Sequence, residues 1–278
     1  MKNNNLYDID TTSPAVILGL FETGLAVGRS LARNNIPAYG IDKQKDIGFY
    51  SKYIEGTICP DPLKDEALFL EWFKKYLNTF TEKPVLFLTN DDFLMVFSRN
   101  RHVFKHLCLY NIPDHELLDK ITNKYQQYLL SKSIDIDVPE TMILNESVQK
   151  SDLKNLKFPL FIKALDVVKW RAVFGGTKKG FYVSNNQELW DIIERLKKHQ
   201  IKAVIQEVIQ GPDTNHYKYC VYSNSQKQIL NTFALRKLRQ DPAHFGVGSL
   251  VESIKHKDPE NKGYQLFHKL NYQGVGSA

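Results

Sequence analysis

Apolar residues recur along the chain in two rhythms, and the switching between them lays out most of its elements. Pro14 to Leu18 is a short apolar run that stops at Gly19. From Gly24 to Asn34 the apolar positions take helical spacing, with Leu25, Gly28 and Leu31 along one face, and Ile36 to Ile41 is a second apolar run ending at Asp42. Strand, glycine turn, helix and strand make a βαβ unit. Strands are expected again over Tyr53 to Ile58 and Val85 to Thr89. Between them Leu68, Trp72, Phe73 and Tyr76 repeat at helical spacing within Lys64 to Asn78. Helices alternating with apolar strands imply a parallel sheet covered on both faces. Asn90-Asp91-Asp92 lies just past the strand ending at Thr89 and opens the next helix, at the edge where open α/β sheets bind ligands.

The first domain should close near Pro113. Leu117 to Ser131 reads as helical, and Val138-Pro139 forces an extended exit into Thr141 to Leu144. Phe158 to Ala164, Gly180 to Val183 and Ala203 to Ile209 read as strands, and Gly175-Gly176 marks a loop. Asn186 to His199 is a helix with Leu189, Ile192, Ile193 and Leu196 on its apolar face. Residues 216 to 235 alternate like antiparallel strands. The fold class expected is α/β, turning to α+β in the second half.

Composition narrows the class. A chain of 278 residues with 42% hydrophobic and 24% charged residues is globular and long enough for two domains. Its longest apolar stretch, Ala15 to Phe21, falls far short of the roughly 20 residues that cross a bilayer. Met1 to Thr12 carries Asp8 and Asp10 and lacks an apolar signal region, so no membrane partner and a cytoplasmic location are expected. Cys59, Cys108 and Cys220 form no CxxC pair and read as reduced packing residues. The charge of +6 suits nucleic acid or polyphosphate alike, but lysine is spread without a basic run, and nucleic acid is not expected. The eight histidines are scattered, and His102 and His106 lack a glutamate at metalloprotease spacing, so no metal ligands are assigned. The Gly19 to Gly24 turn is no GxGxxG, which argues against a nicotinamide enzyme and for a steric role, the close packing of turn and helix.

Several positions carry chemistry. Lys163 sits inside the apolar run Phe-Pro-Leu-Phe-Ile-Lys-Ala, and an ammonium there either snorkels outward at an edge or meets an anion such as phosphate. Lys178-Lys179 follows Gly175-Gly176-Thr177 in a turn that could fold over phosphate oxygens or be a solvated basic tip. In Gln206-Glu207-Val208-Ile209-Gln210-Gly211-Pro212-Asp213 the backbone could read an adenine edge while Asp213 takes ribose hydroxyls, with a plain β-turn as the simpler alternative. Arg236-Lys237-Leu238-Arg239-Gln240, ahead of Gly246-Val247-Gly248-Ser249, reads as three cations on a strand end before a glycine-rich loop. On chemistry alone this is the strongest anion site, suited to a carboxylate or acyl phosphate; a basic edge strand is the alternative. Glu22, Asp91 and Asp92 could bind an amine, although capping and turn roles suffice for them.

In order, these pieces resemble the ATP-grasp superfamily, and within it the carboxylate-amine ligases called carbamoyl-phosphate-synthase-like. The resemblance rests on Thr23-Gly24-Leu25-Ala26-Val27-Gly28-Arg29-Ser30-Leu31, Ile36-Pro37-Ala38-Tyr39-Gly40-Ile41-Asp42, Leu118-Asp119-Lys120, Val138-Pro139-Glu140-Thr141, Phe158-Pro159-Leu160-Phe161-Ile162-Lys163 and Gln206-Glu207-Val208-Ile209-Gln210-Gly211. It implies a Rossmann-like pre-ATP-grasp domain over residues 1–115, an ATP-grasp amino-terminal subdomain over 116–205 and a partial carboxyl-terminal subdomain over 206–278. By the resemblance Lys120, Lys163 and Lys179, with Lys178 an alternative for the last, hold ATP phosphates. Gln206, Glu207, Val208 and Ile209 form the adenine hinge, Asp213 meets the ribose, and Arg236 and Lys237 serve catalysis by facing the acyl phosphate or the substrate carboxylate. The partners implied are a small-molecule carboxylate and an amine, and a homodimer is compatible. The chain ends at Gly274-Val275-Gly276-Ser277-Ala278, where such ligases continue into an acidic strand and a Glu-x-Asn element that bind Mg2+. The metal ligands are therefore expected beyond residue 278, in a fragment or truncated reading frame that binds ATP without turnover. The other reading is a degenerate ATP-grasp protein that binds ATP or another ligand without chemistry.

Overall fold

In the structure, a computed structural model that describes residues 11–145, 147–165, 167–175, 180–241 and 246–278, the chain divides into two units, Met1–Leu118 and Asp119–Ala278. No helix among the described residues is long and apolar enough to cross a membrane.

The first unit runs β1 (Ala15–Leu18), α1 (Glu22–Ala32), β2 (Ala38–Asp42), β3 (Glu55–Ile58), α2 (Glu66–Leu77), β4 (Val85–Leu88), α3 (Asp91–Arg99) and the short α4 (Arg101–Phe104). Its strands form one parallel sheet in the order β3-β2-β1-β4. Every residue of β1 is buried because both faces are covered. Val16 and Leu18 pack on Phe69 and Phe73 of α2 and Phe93 and Phe97 of α3. Ile17 and Leu20 pack on Ile54, with Leu25, Val27 and Leu31 of α1 beside them. Gly19 leaves β1 with φ +97°, and a Cβ on Gly24 would stand 2.0 Å from the Gly19 carbonyl oxygen, so α1 starts hard against the strand end and glycine is required at both positions. Asn90 caps α3 by accepting from the Phe93 amide at 3.0 Å. The Asp92 carboxylate accepts from Lys43 Nζ at 2.9 Å and is spent inside the unit, raising the Lys43 pKa. Cys59 and Cys108 are buried, which pushes both thiols up to about 12, and Cys220 is half-buried.

The second unit begins within α5 (His115–Thr122) and continues through α6 (Lys124–Ser133), β5 (Thr141–Leu144), β6 (Leu160–Ala164), α7 (Val167–Phe174), β7 (Gly180–Val183), α8 (Asn186–Lys198) and β8 (Ala203–Glu207). The single helix expected over Leu117 to Ser131 is two. Asn123 turns its side chain onto the amides of Tyr125 and Gln126, at 3.0 and 3.1 Å, and a side chain that caps the next helix ends the one before it. The four strands form an antiparallel sheet, β5-β8-β6-β7. Leu160, Ile162, Ala164, Phe181, Val183, Ala203 and Ile205 face the core with Leu189, Ile193 and Leu196 of α8. The period of two sends Thr141, Phe161, Lys163, Tyr182 and Gln206 to the other face.

The unit closes with β9 (Tyr217–Ser223), β10 (Ile229–Asp241), β11 (Val247–Ile254), α9 (Lys257–Lys269) and β12 (Gly274–Ser277), whose strands make a second antiparallel sheet, β11-β10-β9-β12. Residues 247–249, expected as a glycine-rich loop, open β11 instead. The strand pairs with β10 from Val247 opposite Asp241 to Ile254 opposite Ala234, and Gly248 conceals it because glycine adds no side chain to the pattern. Helix α9 is not legible in the sequence, since Pro259 and Gly263 lie inside it. Gly263 is there because a Cβ would meet the Tyr219 ring at 2.3 Å, so the helix lies close on β9.

Candidate functional site

Lys163 lies on the face of the first antiparallel sheet that is turned away from the core. Its ammonium is half-buried and donates to Gln206 Oε1 at 2.9 Å. Burial, and after it the charge of Lys124 at the start of α6, lowers the Lys163 pKa below the ordinary lysine value. No carboxylate forms an ion pair with Lys163 or Lys124 among the described residues. A half-buried ammonium that also feels a second positive charge makes a place that gains from an anion. The Phe161 ring lies 5.7 Å from Lys163 Nζ, and Gly180 across the strand admits it, because a Cβ there would stand 2.3 Å from that ring.

Tyr182 pairs with Phe161 across β6 and β7, so it shares a sheet face with Lys163. It also forms one wall of a cleft of about 580 Å3 whose other walls are Val208, Ile209, Gln210, Gly211, Asp213 and His216. Tyr182 and Ile209 are exposed at 50% and 74%, which leaves an aromatic ring and an aliphatic chain facing solvent across a concave surface. The segment from Gln206 divides its labour by position. Gln206 points to Lys163, and Glu207 turns the other way to accept from the Lys157 amide at 2.7 Å. The Val208 amide is taken by the Pro159 carbonyl at 2.9 Å, and no backbone hydrogen bond engages Ile209 or Gln210 among the described residues. Asp213 is half-buried and opens a single 3-10 turn, Asp213–Asn215.

The structure thus brings together Lys163 and Gln206, and, around the cleft, Val208, Ile209 and Asp213. Glu207 flanks the cleft without turning its side chain to it. Lys120 is half-buried in the last turn of α5, four residues ahead of Lys124, which opens α6. Lys178 and Lys179 lie outside the described residues, with Gly176 and Thr177. Arg236 and Lys237 are neighbours on β10 with no register shift between them, so they occupy opposite faces of the sheet and cannot meet one small anion side by side. Arg236 is ion-paired to Glu252. Lys237 Nζ donates to Gln240 Oε1 at 3.1 Å and to the Gly246 carbonyl at 3.3 Å.

Sequence reasoning missed Lys124, Thr141, Tyr182 and His216. Lys124 stands four residues after Lys120, a spacing that hints at one helical face, although the helix breaks between them. Tyr182 and Thr141 could be found only from strand pairing. Among the described residues no group of three or more His, Cys, Asp or Glu could hold a metal ion.

No family model matches the chain. It is 24% identical over 244 residues to a D-aspartate ligase of Enterococcus faecium, a match covering 82% of this chain and 57% of that protein. An L-amino acid ligase from Bacillus licheniformis superposes with a TM-score of 0.66 at 13% identity, over 97% of this chain and 63% of that one. A carboxyaminoimidazole ribonucleotide synthase from Aspergillus clavatus, complexed with ATP, superposes with a TM-score of 0.61 at 16% identity, over 95% of this chain and 65% of that one. The chain spans less than two thirds of the length of each of these proteins. The chain carries the fold of the ATP-grasp proteins, the superfamily its sequence resembles.

Proposed function

We propose that the chain binds ATP and is the nucleotide-binding part of an ATP-dependent carboxylate-amine ligase. The observation that carries this is the half-buried Lys163 ammonium, which feels the charge of Lys124, has no carboxylate partner among the described residues, and shares the sheet face that runs into the cleft at Tyr182. A triphosphate on the lysines would offset the desolvation of Lys163 and the repulsion between Lys163 and Lys124. A planar base would lie between Tyr182 and Ile209, reading the open backbone of Ile209 and Gln210, with Asp213 placed for ribose hydroxyls. Lys120, Lys178 and Lys179 are the further phosphate ligands of this reading.

The reaction proposed is transfer of the ATP γ-phosphate to a substrate carboxylate, giving an acyl phosphate and ADP. An amine then attacks the acyl carbon and phosphate leaves. The lysines would contribute by positioning and charge neutralisation. Lys237 faces away from α9 and is the better placed of the two β10 cations for the acyl phosphate. The relatives' names, D-aspartate ligase and L-amino acid ligase, support an amino acid among the substrates. Magnesium would arrive with the nucleotide; the described residues supply no ligand cluster for it, so none of the steps assigned to them passes through the metal.

The engagement of Arg236 by Glu252 favours a second reading, in which the chain holds ATP without turning it over. Equilibrium dialysis with ATP, NAD and a short RNA tests the binding claim, and ADP release with a panel of amino acids separates the two readings. ATP binding no tighter than NAD or RNA binding would end both.

A further inference from the structure

The Lys163 ammonium does not stand alone on its sheet face. Gln206 Oε1 accepts from Lys163 Nζ at 2.9 Å, Gln206 Nε2 donates to Thr141 Oγ1 at 2.9 Å, and Thr141 Oγ1 donates to the Pro139 carbonyl at 2.8 Å. The direction of this chain follows from counting protons. An ammonium only donates, so the amide atom facing it must be the oxygen, and the amide nitrogen must face Thr141. The hydroxyl of Thr141 has one proton, which goes to Pro139, and it accepts from Gln206 with a lone pair. Each group has one arrangement that satisfies its neighbours, so the Gln206 amide cannot flip without setting donor against donor.

The strands supply the rigidity. Thr141 and Gln206 are directly paired across β5 and β8, and Phe161 pairs with Gln206 on the other side, two residues from Lys163 on the same face. Thr141 is 8% exposed and its hydroxyl has little water to compete for it. The acceptor presented to Lys163 is a neutral amide. It fixes the ammonium without cancelling its charge, and no other hydrogen bond takes the ammonium's N–H donors among the described residues, whereas a carboxylate in the same place would cancel the charge.

We propose that Thr141 and Gln206 are positioning residues: through the fixed Gln206 amide, Thr141 holds the Lys163 ammonium aimed at the phosphates of the nucleotide. This rests on the reading of Lys163 as a phosphate ligand, and the test separates the two claims. ATP and adenosine affinities are measured by calorimetry on the whole chain for Lys163→Met, Thr141→Val, Thr141→Ser, Gln206→Met and the double variant Thr141→Val with Gln206→Met. Thermal unfolding of each variant confirms that it is folded.

Lys163→Met is expected to weaken ATP binding roughly tenfold, the loss of one charged contact. Thr141→Val, which keeps shape and removes the hydroxyl, is expected to weaken ATP roughly fivefold and to lower the preference for ATP over adenosine, since the relay serves the phosphates. Thr141→Ser should restore the affinity. The double variant should lose no more than Gln206→Met alone, because the two residues act in series. Should Thr141→Val fail to fold, Gln206→Met against Thr141→Ser carries the comparison, with a lowered ATP preference expected only in the former. Lys163→Met weak but Thr141→Val and Gln206→Met at native affinity, or a serine variant no better than valine, overturns the relay and leaves Lys163 as a ligand. Native ATP affinity in Lys163→Met overturns both claims.

Discussion

Lys124, the first residue of α6, sets its positive charge against the ammonium of Lys163 on β6. A stable core alone would set a carboxylate or an apolar side chain near Lys163 rather than the exposed Lys124, because a half-buried ammonium that feels a second positive charge costs stability. Their pairing makes sense when a third, negative group completes the site, and the first two predictions follow from that imbalance.

ATP affinity should fall on the alkaline side as Lys163 loses its proton, and it should do so at a lower pH than an ordinary lysine near 10.5 would require, since burial and Lys124 lower the Lys163 pKa. Lys124→Met removes the repulsion, so the alkaline limb should move to higher pH even as overall affinity drops. Binding titrations between neutral pH and pH 10 check this; a limb that stays where it was would show that Lys124 is not felt at Lys163.

Without nucleotide, Lys163→Met should be more stable than the native chain at neutral pH. The folded pKa is depressed, so between that value and 10.5 the unfolded chain binds more protons than the folded one, and native stability rises with pH through the window. Below it the charged lysine is a burden that methionine lacks. Thermal melts at pH 7 and near pH 10 should show the gain at pH 7 shrinking at the higher pH. A lower melting temperature for the variant at pH 7 would mean that the hydrogen bond to Gln206 outweighs desolvation.

Gly24→Ala should destabilise the first unit by about 1 to 3 kcal/mol, the cost of overpacking at a site that cannot relax. The clash is with backbone: the new Cβ would stand 2.0 Å from the Gly19 oxygen, and Gly19 itself is tied by its amide to the Ile41 carbonyl at 2.9 Å. Urea unfolding of the variant reads the loss directly, and a cost no larger than an ordinary surface substitution would mean that α1 can slide along the sheet.

Lys237→Ala should lower ATP affinity or turnover several times more than Arg236→Ala. Arg236 on β10 pairs with Tyr217 on β9, on the face where Tyr219 packs against Phe267 of α9, and its guanidinium is held by Glu252. Lys237 is on the opposite face. Glu252→Gln should cost little stability, as befits a solvent-exposed ion pair. Equal losses in the two alanine variants would place both cations at the nucleotide and contradict the opposed faces.

The elements that were legible in the sequence are those whose pattern has one cause. Thr141–Leu144 and Gly180–Val183 stand as read, and Asn186 begins a helix whose apolar stripe meets the core, because each is set by a period of two or of 3.6 against one apolar surface. Helix α9 and strand β11 were hidden because their glycines answer to a neighbour's ring or to a pairing partner rather than to their own segment.

Local pattern determined the parallel sheet, its helices, the packing of Gly24 under Gly19 and the oddity of a lysine inside the strand that carries Lys163, since each depends on residues a few positions apart. Only the tertiary structure decided which strands stand side by side. That pairing set Thr141 behind Gln206 and Gln206 behind Lys163, brought Tyr182 to the same face, and put Arg236 and Lys237 on opposite ones. Hydrogen bonds between strands join residues far apart in the chain, and a sequence records no distance between them.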